Sequence, residues 1–245
     1  MRVLIIRHGD PYYPTDSLTE KGQREAQLLG ERLMKEHITH AYVSPLGRAK
    51  RTAAPFLEKA GMEATELEWL REFPVSLPAE YAYTTKWGED GRCLWNMPPH
   101  AWTNVPGIYD AEAWRDAPMY TDGKMQARYD LVCKGWDDLL AEHGYTRDGA
   151  VYRIGDGWEE KKETIALFCH LGLGNVLLSH ILHLSVTAVW HTLFLPTTSV
   201  TTVFMEQHLN APVAHARLVQ VGDTSHLYAG NEPVSASGLY SEEIR

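Results

Sequence analysis

The segment Val3-Leu-Ile-Ile-Arg-His-Gly-Asp10 decides the fold class, because an apolar run gives way abruptly to charged and polar residues. Four consecutive leucine or β-branched side chains, with no polar residue between them, are typical of a strand buried on both faces. Arg7, His8 and Gly9 then fall where this strand ends and a loop begins. Because α/β sheets bind ligands at the carboxyl ends of their strands, this strand end is a candidate site.

Outward from this strand, helical and strand-like patterns alternate. Residues 20–37 have apolar side chains at three- and four-residue steps behind Thr19, which predicts a helix with a threonine N-cap. Residues 41–43 predict a second strand, residues 44–61 a helix with proline in its first turn, and residues 64–70 a third strand. The alternation predicts an α/β three-layer sandwich, with a mostly parallel central sheet and helices on both faces.

The alternation stops after residue 72, where proline and aromatic residues become frequent. We therefore expect a single domain over residues 1–245 with an insertion at about 73–160. This insertion is expected to form a lid or cap. Its aromatic side chains either wall a pocket or form the interface of a homodimer, and the sequence leaves both uses open.

The second half of the chain repeats the opening arrangement. The apolar run Thr164–Cys169 predicts another buried strand, which ends in His170 and is followed by small residues and a helix. Before this strand, a hairpin is predicted. Its parts are residues 151–154, the turn Gly155-Asp-Gly and the residues after Trp158. The chain after about Tyr228 is predicted to be coil.

Composition narrows the classes of partner. The chain has 23 Lys or Arg against 32 Asp or Glu, a formal net charge of -9, which argues against nucleic-acid binding. No segment supplies the roughly 20 apolar residues of a membrane span, so no membrane partner is expected. Three widely spaced cysteines without a Cys-x-x-Cys pair favour a reducing, cytoplasmic location, as does an apolar N-terminal run too short for a signal peptide.

The candidate chemistry rests on side chains at four separate strand or helix ends. A neutral imidazole can attack phosphorus, which makes His8 the candidate nucleophile. Planar guanidinium groups match phosphate geometry, so Arg7 and Arg48 are candidate phosphate ligands together with His170. Taken alone, a histidine at a strand end is more often a hydrogen-bonded structural residue. The joint appearance of these side chains favours a phosphate site.

A leaving alkoxide needs a proton, and Glu72 at the end of the third strand is the candidate donor. Asp10 is the alternative, because it directly follows Arg-His-Gly. His180 and His183 lie three residues apart on a predicted helix, but no third ligand is evident, so we expect no metal site and no metal cofactor. The sequence also lacks the glycine motifs of nucleotide-binding loops.

A series of landmarks in chain order resembles the histidine phosphatase superfamily, also called the phosphoglycerate mutase-like family, in its larger branch: Arg7-His-Gly, Leu18-Thr-Glu-Lys-Gly, Ser44-Pro-Leu-Gly-Arg-Ala, Leu70-Arg-Glu, His170 and Gly222-Asp-Thr-Ser-His-Leu. The resemblance covers both ends of the chain and omits mainly the insertion. It implies a phosphohistidine on His8, general acid action by Glu72 and no cofactor. It also implies a phosphate site of the following residues: Arg7, His8, Arg48, His170 and Leu171.

The loop after Arg-His-Gly bears on which reaction is expected. Mutases of this family resemble one another in an Asn- and Trp-containing loop at this point, whereas here the loop is Asp10-Pro-Tyr-Tyr-Pro-Thr-Asp-Ser. Asp and Glu also outnumber Lys and Arg in residues 73–160, which would repel polyphosphorylated substrates. A phosphatase acting on a small phosphate monoester is therefore expected. A phosphoglycerate-type mutase and a non-catalytic relative that binds a phosphate ligand or a partner remain alternatives.

Overall fold

The computed structural model describes residues 1–78, 93–155, 162–208 and 211–241. The chain divides into two compact units. The sheet unit comprises Met1–Glu72, Asp137–Gly174 and Leu195–Arg245, and the insertion unit comprises Phe73–Trp136 and Asn175–Phe194. The second unit begins where the insertion was predicted to begin, but its first segment ends at Trp136 and not near residue 160. It also takes in Asn175–Phe194, which the sequence did not assign to it.

The strands have the following bounds, in chain order: β1 Arg2–Arg7, β2 Pro11–Tyr12, β3 Ser17–Leu18, β4 His40–Val43, β5 Thr65–Glu66, β6 Tyr145–Asp148, β7 Val151–Ile154, β8 Thr164–Cys169, β9 Val200–Gln207 and β10 Val213–Asp223. Within the described residues they form an eight-stranded sheet in the order β5-β4-β8-β1-β9-β10-β7-β6 and a small β2-β3 pair. Strands β5, β4, β8 and β1 are parallel to one another. The remaining neighbours pair antiparallel.

The helices have the following bounds: α1 Glu20–Leu33, α2 Gly47–Ala60, α3 Pro99–Trp102, α4 Lys124–Glu142, α5 Leu171–Leu182, α6 Val186–Thr192 and α7 Ser225–Ala229. One face of the central strands packs on α1 and α2, where Leu4 and Ile6 join Leu33 and Phe56 in one apolar core. Each such buried side chain stabilises the fold by about 1.5–3 kcal/mol. On the opposite face, Ile5 lies near the first turns of α5, where a Cβ built on Gly174 would be 3.9 Å from the Ile5 side chain. The expected α/β class with a mostly parallel central sheet is confirmed.

Several elements differ from the sequence predictions. Helix α1 ends at Leu33 and not near residue 37. The third strand is only β5, followed by a 3-10 turn from Glu68 to Leu70, because it lies at the sheet edge with one neighbour, β4. Helix α2 begins at Gly47 and not at residue 44, with Leu46 as its N-cap. The hairpin predicted beyond residue 154 is wrong, because β7 already pairs with β6 on one side and β10 on the other. Residues 156–161 lie outside the described residues.

The helices in the described ranges are all too short or too polar to cross a membrane. Helix α7, which the sequence did not predict, contains His226, a histidine with only 6% of its surface exposed. Its Nε2 lies 3.1 Å from the hydroxyl of Thr198, a residue with a φ of 53°. Burial, followed by the positive charge of Arg32, lowers the pKa of His226 to about 4, and the charge of Asp223 partly opposes this shift.

Close backbone packing at Gly22 gives a first prediction. An ideal Cβ at this position would lie 2.2 Å from the carbonyl oxygen of Asp10, which is backbone and has little room to yield. Gly22→Ala should therefore lower the free energy of unfolding by about 1–3 kcal/mol, as overpacking does. Urea unfolding measures the change. The control Gly155→Ala places its Cβ where no atom of the described residues lies within 4 Å. Equal stability of the two variants would contradict the close packing.

The buried ring of His226 gives a second prediction, for stability against pH. The unfolded chain protonates this residue near its ordinary pKa of 6.5, whereas the folded chain does so only near 4. The unfolded state therefore binds more protons between these values, and stability falls as the pH is lowered. The loss attributable to this group amounts to about 3 kcal/mol at most.

The measurement compares urea unfolding of the parent and His226→Gln between pH 7 and pH 4. The variant should lose less stability over this interval, because glutamine does not titrate but can still bond to Thr198. His215→Gln serves as the control, since His215 is exposed on β10 and its ring stays in solvent in both states. A parallel slope for the parent and His226→Gln would refute the prediction.

Candidate active site

The register of the central parallel strands brings two histidines together. In the β1-β8 pair Arg7 lies opposite Cys169, so the residues that follow them, His8 and His170, leave the sheet side by side. The backbone N–H of His8 donates to the carbonyl of Cys169 at 3.0 Å. The two imidazole rings have centroids 5.1 Å apart and planes inclined at 57°. These two predicted residues therefore form the centre of one cluster.

The partners of His8 set its protonation. Its Nδ1 lies 2.7 Å from the carbonyl oxygen of Gly9, which can only accept, so Nδ1 carries the proton. Burial is the main cause that holds the pKa of His8 well below its ordinary value, and the charges of Arg7 and Arg48 add to it. The ring is therefore neutral at physiological pH, with its lone pair on Nε2. This is the form that can act as a nucleophile.

His170 is completely buried, and its ring is also neutral. Burial lowers its pKa well below the ordinary value, followed by the effects of His8, Arg48 and Arg7. Its Nε2 lies 2.7 Å from the hydroxyl of Ser44, whereas its Nδ1 is buried without a hydrogen-bond partner among the described residues. A buried polar atom in this state is available to a ligand, and pairing it would recover about 1–3 kcal/mol.

Arg7 is fixed by two backbone carbonyls from distant parts of the chain. Its two terminal nitrogens donate to Leu195 at 2.7 Å and to Ser237 at 2.9 Å. Burial lowers the pKa of Arg7, and the nearby acidic groups of Tyr13, Glu72 and Glu25 partly oppose this effect. The guanidinium group is thus held rigidly beside the two histidines. The C-terminal segment, predicted as coil, contributes one of these two carbonyls.

Arg48 lies in the first turn of α2, where the positive end of the helix dipole would disfavour a cation. The structure supplies an anion there: Asp16 accepts from the backbone N–H of Gly47 at 2.5 Å and from a terminal nitrogen of Arg48 at 2.6 Å. Burial tends to raise the pKa of Asp16, but these donors outweigh it and the pKa lies below its ordinary value. The Nε of Arg48 is buried and has no partner in the described ranges.

The two candidate acids have different surroundings. Glu72 accepts hydrogen bonds from the backbone N–H groups of Gly172 and Leu173 at 3.2 and 3.0 Å, in the first turn of α5. Its carboxyl group therefore lies beside the strand end that carries His170.

Leu171, predicted to bind phosphate, is the first residue of α5 and directly follows His170, with its side chain buried.

Asp10 stabilises the loop after His8 through hydrogen bonds. Its carboxylate accepts from the hydroxyl of Thr19 at 2.8 Å and from the hydroxyl of Ser235 at 2.5 Å, so both of its oxygens are engaged within the protein. Its backbone N–H donates to Glu25 at 2.8 Å. These contacts join the loop, the start of α1 and the C-terminal segment. Glu72 likewise has both oxygens engaged, so these hydrogen bonds alone do not choose between the two candidate acids.

Several supporting residues were not singled out from the sequence. Glu25 is fully buried, accepts from Asp10 and Thr197, and has a pKa raised mainly by burial. Glu25 lies four residues before Leu29 and eight before Leu33, which places it on the apolar face of α1. This spacing would have predicted from the sequence that Glu25 is buried. Ser44 and Asp16 gave no such signal, because their partners lie far away in sequence. No cluster of metal-ligating side chains occurs within the described residues.

Solved structures share this fold. Phosphoserine phosphatase from Entamoeba histolytica superimposes with a TM-score of 0.60 at 20% identity, over 92% of this chain and 98% of its own. The mycobacterial glucosyl-3-phosphoglycerate phosphatase gives a TM-score of 0.57 at 21% identity, over 91% of this chain and 99% of its own. The alpha-ribazole phosphatase from Shigella flexneri gives 0.56 at 19% identity, over 91% and 96%. At these identities the likeness establishes the shared fold.

Sequence comparison identifies the family to which the chain belongs. The model of the histidine phosphatase superfamily (branch 1) matches residues 3–89. A probable phosphoglycerate mutase GpmB from Serratia proteamaculans is 34% identical over 89 residues, which is 33% of this chain and 41% of the relative, so the chain spans about two fifths of that protein. Its counterpart from Cronobacter sakazakii is 30% identical over 156 residues, covering 59% of this chain and 70% of the relative. The chain therefore belongs to the histidine phosphatase superfamily.

Proposed function

We propose that this protein is a phosphatase that hydrolyses a small phosphate monoester through a phosphohistidine on His8. The observation that carries the proposal is the pair of neutral imidazoles 5.1 Å apart, flanked by Arg7 and Arg48 at one strand edge. A phosphoryl group needs fixed cationic donors and a nucleophile with an accessible lone pair. This cluster offers both in one buried place.

In the first step the lone pair of His8 Nε2 attacks phosphorus, and the bond from phosphorus to the ester oxygen breaks. Arg7, Arg48 and His170 stabilise the negative charge on the equatorial oxygens. The planar guanidinium groups and the imidazole N–H donate hydrogen bonds to these oxygens. Glu72 gives its proton to the departing alkoxide, which leaves as an alcohol. The products of this step are a phosphohistidine and a Glu72 carboxylate.

In the second step a water molecule attacks the phosphohistidine from the side that the alcohol has left. Glu72, now ionised, takes one proton from this water, and the bond between phosphorus and His8 breaks. Inorganic phosphate is released and both residues return to their starting states. Each group is thereby used twice, and no cofactor is required by this sequence of proton transfers.

The proposed substrate is a small monophosphate. The acidic composition of residues 73–160 and the net charge of -9 support this choice, because a negative surface disfavours polyphosphates and nucleic acids. The cytoplasmic location and the use of the insertion as a pocket wall or a homodimer interface stay predictions.

A mutase is the second candidate, because the curated relatives from Serratia and Cronobacter carry the name probable phosphoglycerate mutase. Against it, the loop from Asp10 to Ser17 departs from the Asn- and Trp-containing loop that mutases of the family share. Isomerisation of a phosphoglycerate, stimulated by the bisphosphate, would establish the mutase instead. The non-catalytic alternative has least support, because every proposed catalytic position is filled.

The third prediction tests the nucleophile. The parent should hydrolyse an aryl phosphate such as p-nitrophenyl phosphate in the presence of a chelator. His8→Ala should reduce kcat at least about 1,000-fold, because no other group is assigned to attack phosphorus. Rapid quenching at alkaline pH should recover an acid-labile phosphoryl group on the parent alone. His215→Ala, which changes an exposed histidine on β10, is the matched control. Full activity of His8→Ala, or dependence on a metal, would rule out the mechanism.

The fourth prediction distinguishes the two candidate acids. Glu72→Gln should lower kcat by about 10²- to 10⁴-fold for an alkyl phosphate, whose alkoxide needs a proton, and much less for an aryl phosphate with a good leaving group. Asp10→Asn should show no such dependence on the leaving group, and its loss should appear in urea stability because it weakens the bonds to Thr19 and Ser235. The reverse pattern would assign the proton to Asp10.

A further inference from the structure

Ser44 directly follows β4 and has no exposed surface. Its place results from the strand register, because β4 pairs in parallel with β8 and the backbone N–H of Ser44 donates to the carbonyl of Phe168 at 2.9 Å. The side chain therefore lies next to the end of β8, where its hydroxyl is 2.7 Å from Nε2 of His170. None of the steps described above uses this residue.

The hydrogen bonds of Ser44 indicate which atom donates. The backbone N–H of Leu46 donates to the Ser44 oxygen at 3.3 Å, so this oxygen already acts as an acceptor. Its own proton also needs an acceptor, and among the described residues the atom within hydrogen-bond distance that can serve is His170 Nε2. In the reverse arrangement the imidazole would donate and the hydroxyl proton would be buried without a partner, which is unfavourable.

We propose that Ser44 is a positioning residue that fixes His170 in the tautomer with its proton on Nδ1, so that this ring presents an N–H donor to the phosphoryl group. The inference rests on the proposed function. A neutral ring whose Nε2 accepts from Ser44 must carry its proton on Nδ1. Nδ1 is buried and has no other partner in the described ranges, so it is the atom left for a ligand.

The same logic assigns the two neighbouring rings complementary tasks. Gly9 occupies the Nδ1 proton of His8 and leaves a lone pair on Nε2, whereas Ser44 occupies the Nε2 lone pair of His170 and leaves a proton on Nδ1. One imidazole can then attack phosphorus while the other donates to a phosphoryl oxygen. If His170 had the opposite tautomer, a lone pair would face the anionic oxygens and repel them.

The test uses Ser44→Ala in the full chain, with the ring tautomer of His170 read from ¹⁵N chemical shifts of histidine-labelled protein. The parent should show the proton on Nδ1, and the variant should show a mixture of tautomers or the proton on Nε2. With an aryl phosphate as substrate, kcat should fall about 10- to 100-fold, less than for complete loss of a transition-state donor. KM should change little, because the charges of Arg7 and Arg48 are retained.

Rescue and control variants separate positioning from a general effect on folding. Ser44→Thr keeps a hydroxyl and should restore both the Nδ1 proton and most of kcat. Ser185→Ala removes an equally buried hydroxyl, the N-cap of α6 in the insertion unit, and should leave the His170 tautomer unchanged. An unchanged tautomer in folded Ser44→Ala, or failure of Ser44→Thr to restore it, would overturn the proposal. If Ser44→Ala does not fold, the same readout on Ser44→Cys, a weaker donor, decides it.

The spectroscopic readout also keeps this inference separate from the proposed function. A parent that shows the Nδ1 proton but hydrolyses no phosphate ester would refute the phosphatase while supporting the role of Ser44 in setting the tautomer. A parent that is an active phosphatase with its His170 proton on Nε2 would refute the role of Ser44 and leave the enzyme assignment standing.

Discussion

The parallel pairing of β1 with β8 is the constraint on which the site depends. With Arg7 opposite Cys169, the two histidines emerge at the same height, and β4 adds Ser44 from the other side of β8. A slip of one residue would shift one strand by roughly 3.3 Å and turn its side chains to the other face. The apolar residues of these strands are buried on both faces, so such a slip would also expose core side chains. Core packing and site geometry therefore enforce the same register.

The site brings two buried guanidinium groups close to two neutral imidazole rings. Burial of a cation is costly unless it is paired, and the two arginines are compensated in different ways. Arg7 donates to two backbone carbonyls and lies near the acidic groups of Glu72 and Glu25. Arg48 is paired with Asp16, which also accepts from the backbone N–H of Gly47 in the first turn of α2. The histidines stay neutral partly because these cations lie close to them. A bound phosphate would place its negative charge beside these two guanidinium groups. The neutral rings would remain able to attack phosphorus and to donate a hydrogen bond.

The sequence predicted the strand ends well because their signal is local. A short apolar run followed by Arg-His-Gly or by His170 marks both the strand and the place where it stops. Asp16, Ser44 and Ser237 could not be found in this way, because each contacts a residue 32 or more positions away, and no local pattern reports such contacts. The mistaken hairpin has a related cause, because β7 pairs on one side with β10, where Val213 lies opposite Arg153 although the two are far apart in sequence.

Two identical side chains at equivalent strand ends need not do the same work. His8 and His170 share burial, neutrality and neighbouring arginines, so neither charge nor exposure separates them. What separates them is the atom that the protein engages: a carbonyl takes the proton-bearing Nδ1 of one ring, and a hydroxyl lies against Nε2 of the other. A carbonyl can only accept, whereas a hydroxyl can also donate, so the lone pair that each ring offers is decided by its partner. Under the proposed roles, the two rings therefore differ through their surrounding hydrogen bonds and not through their residue type.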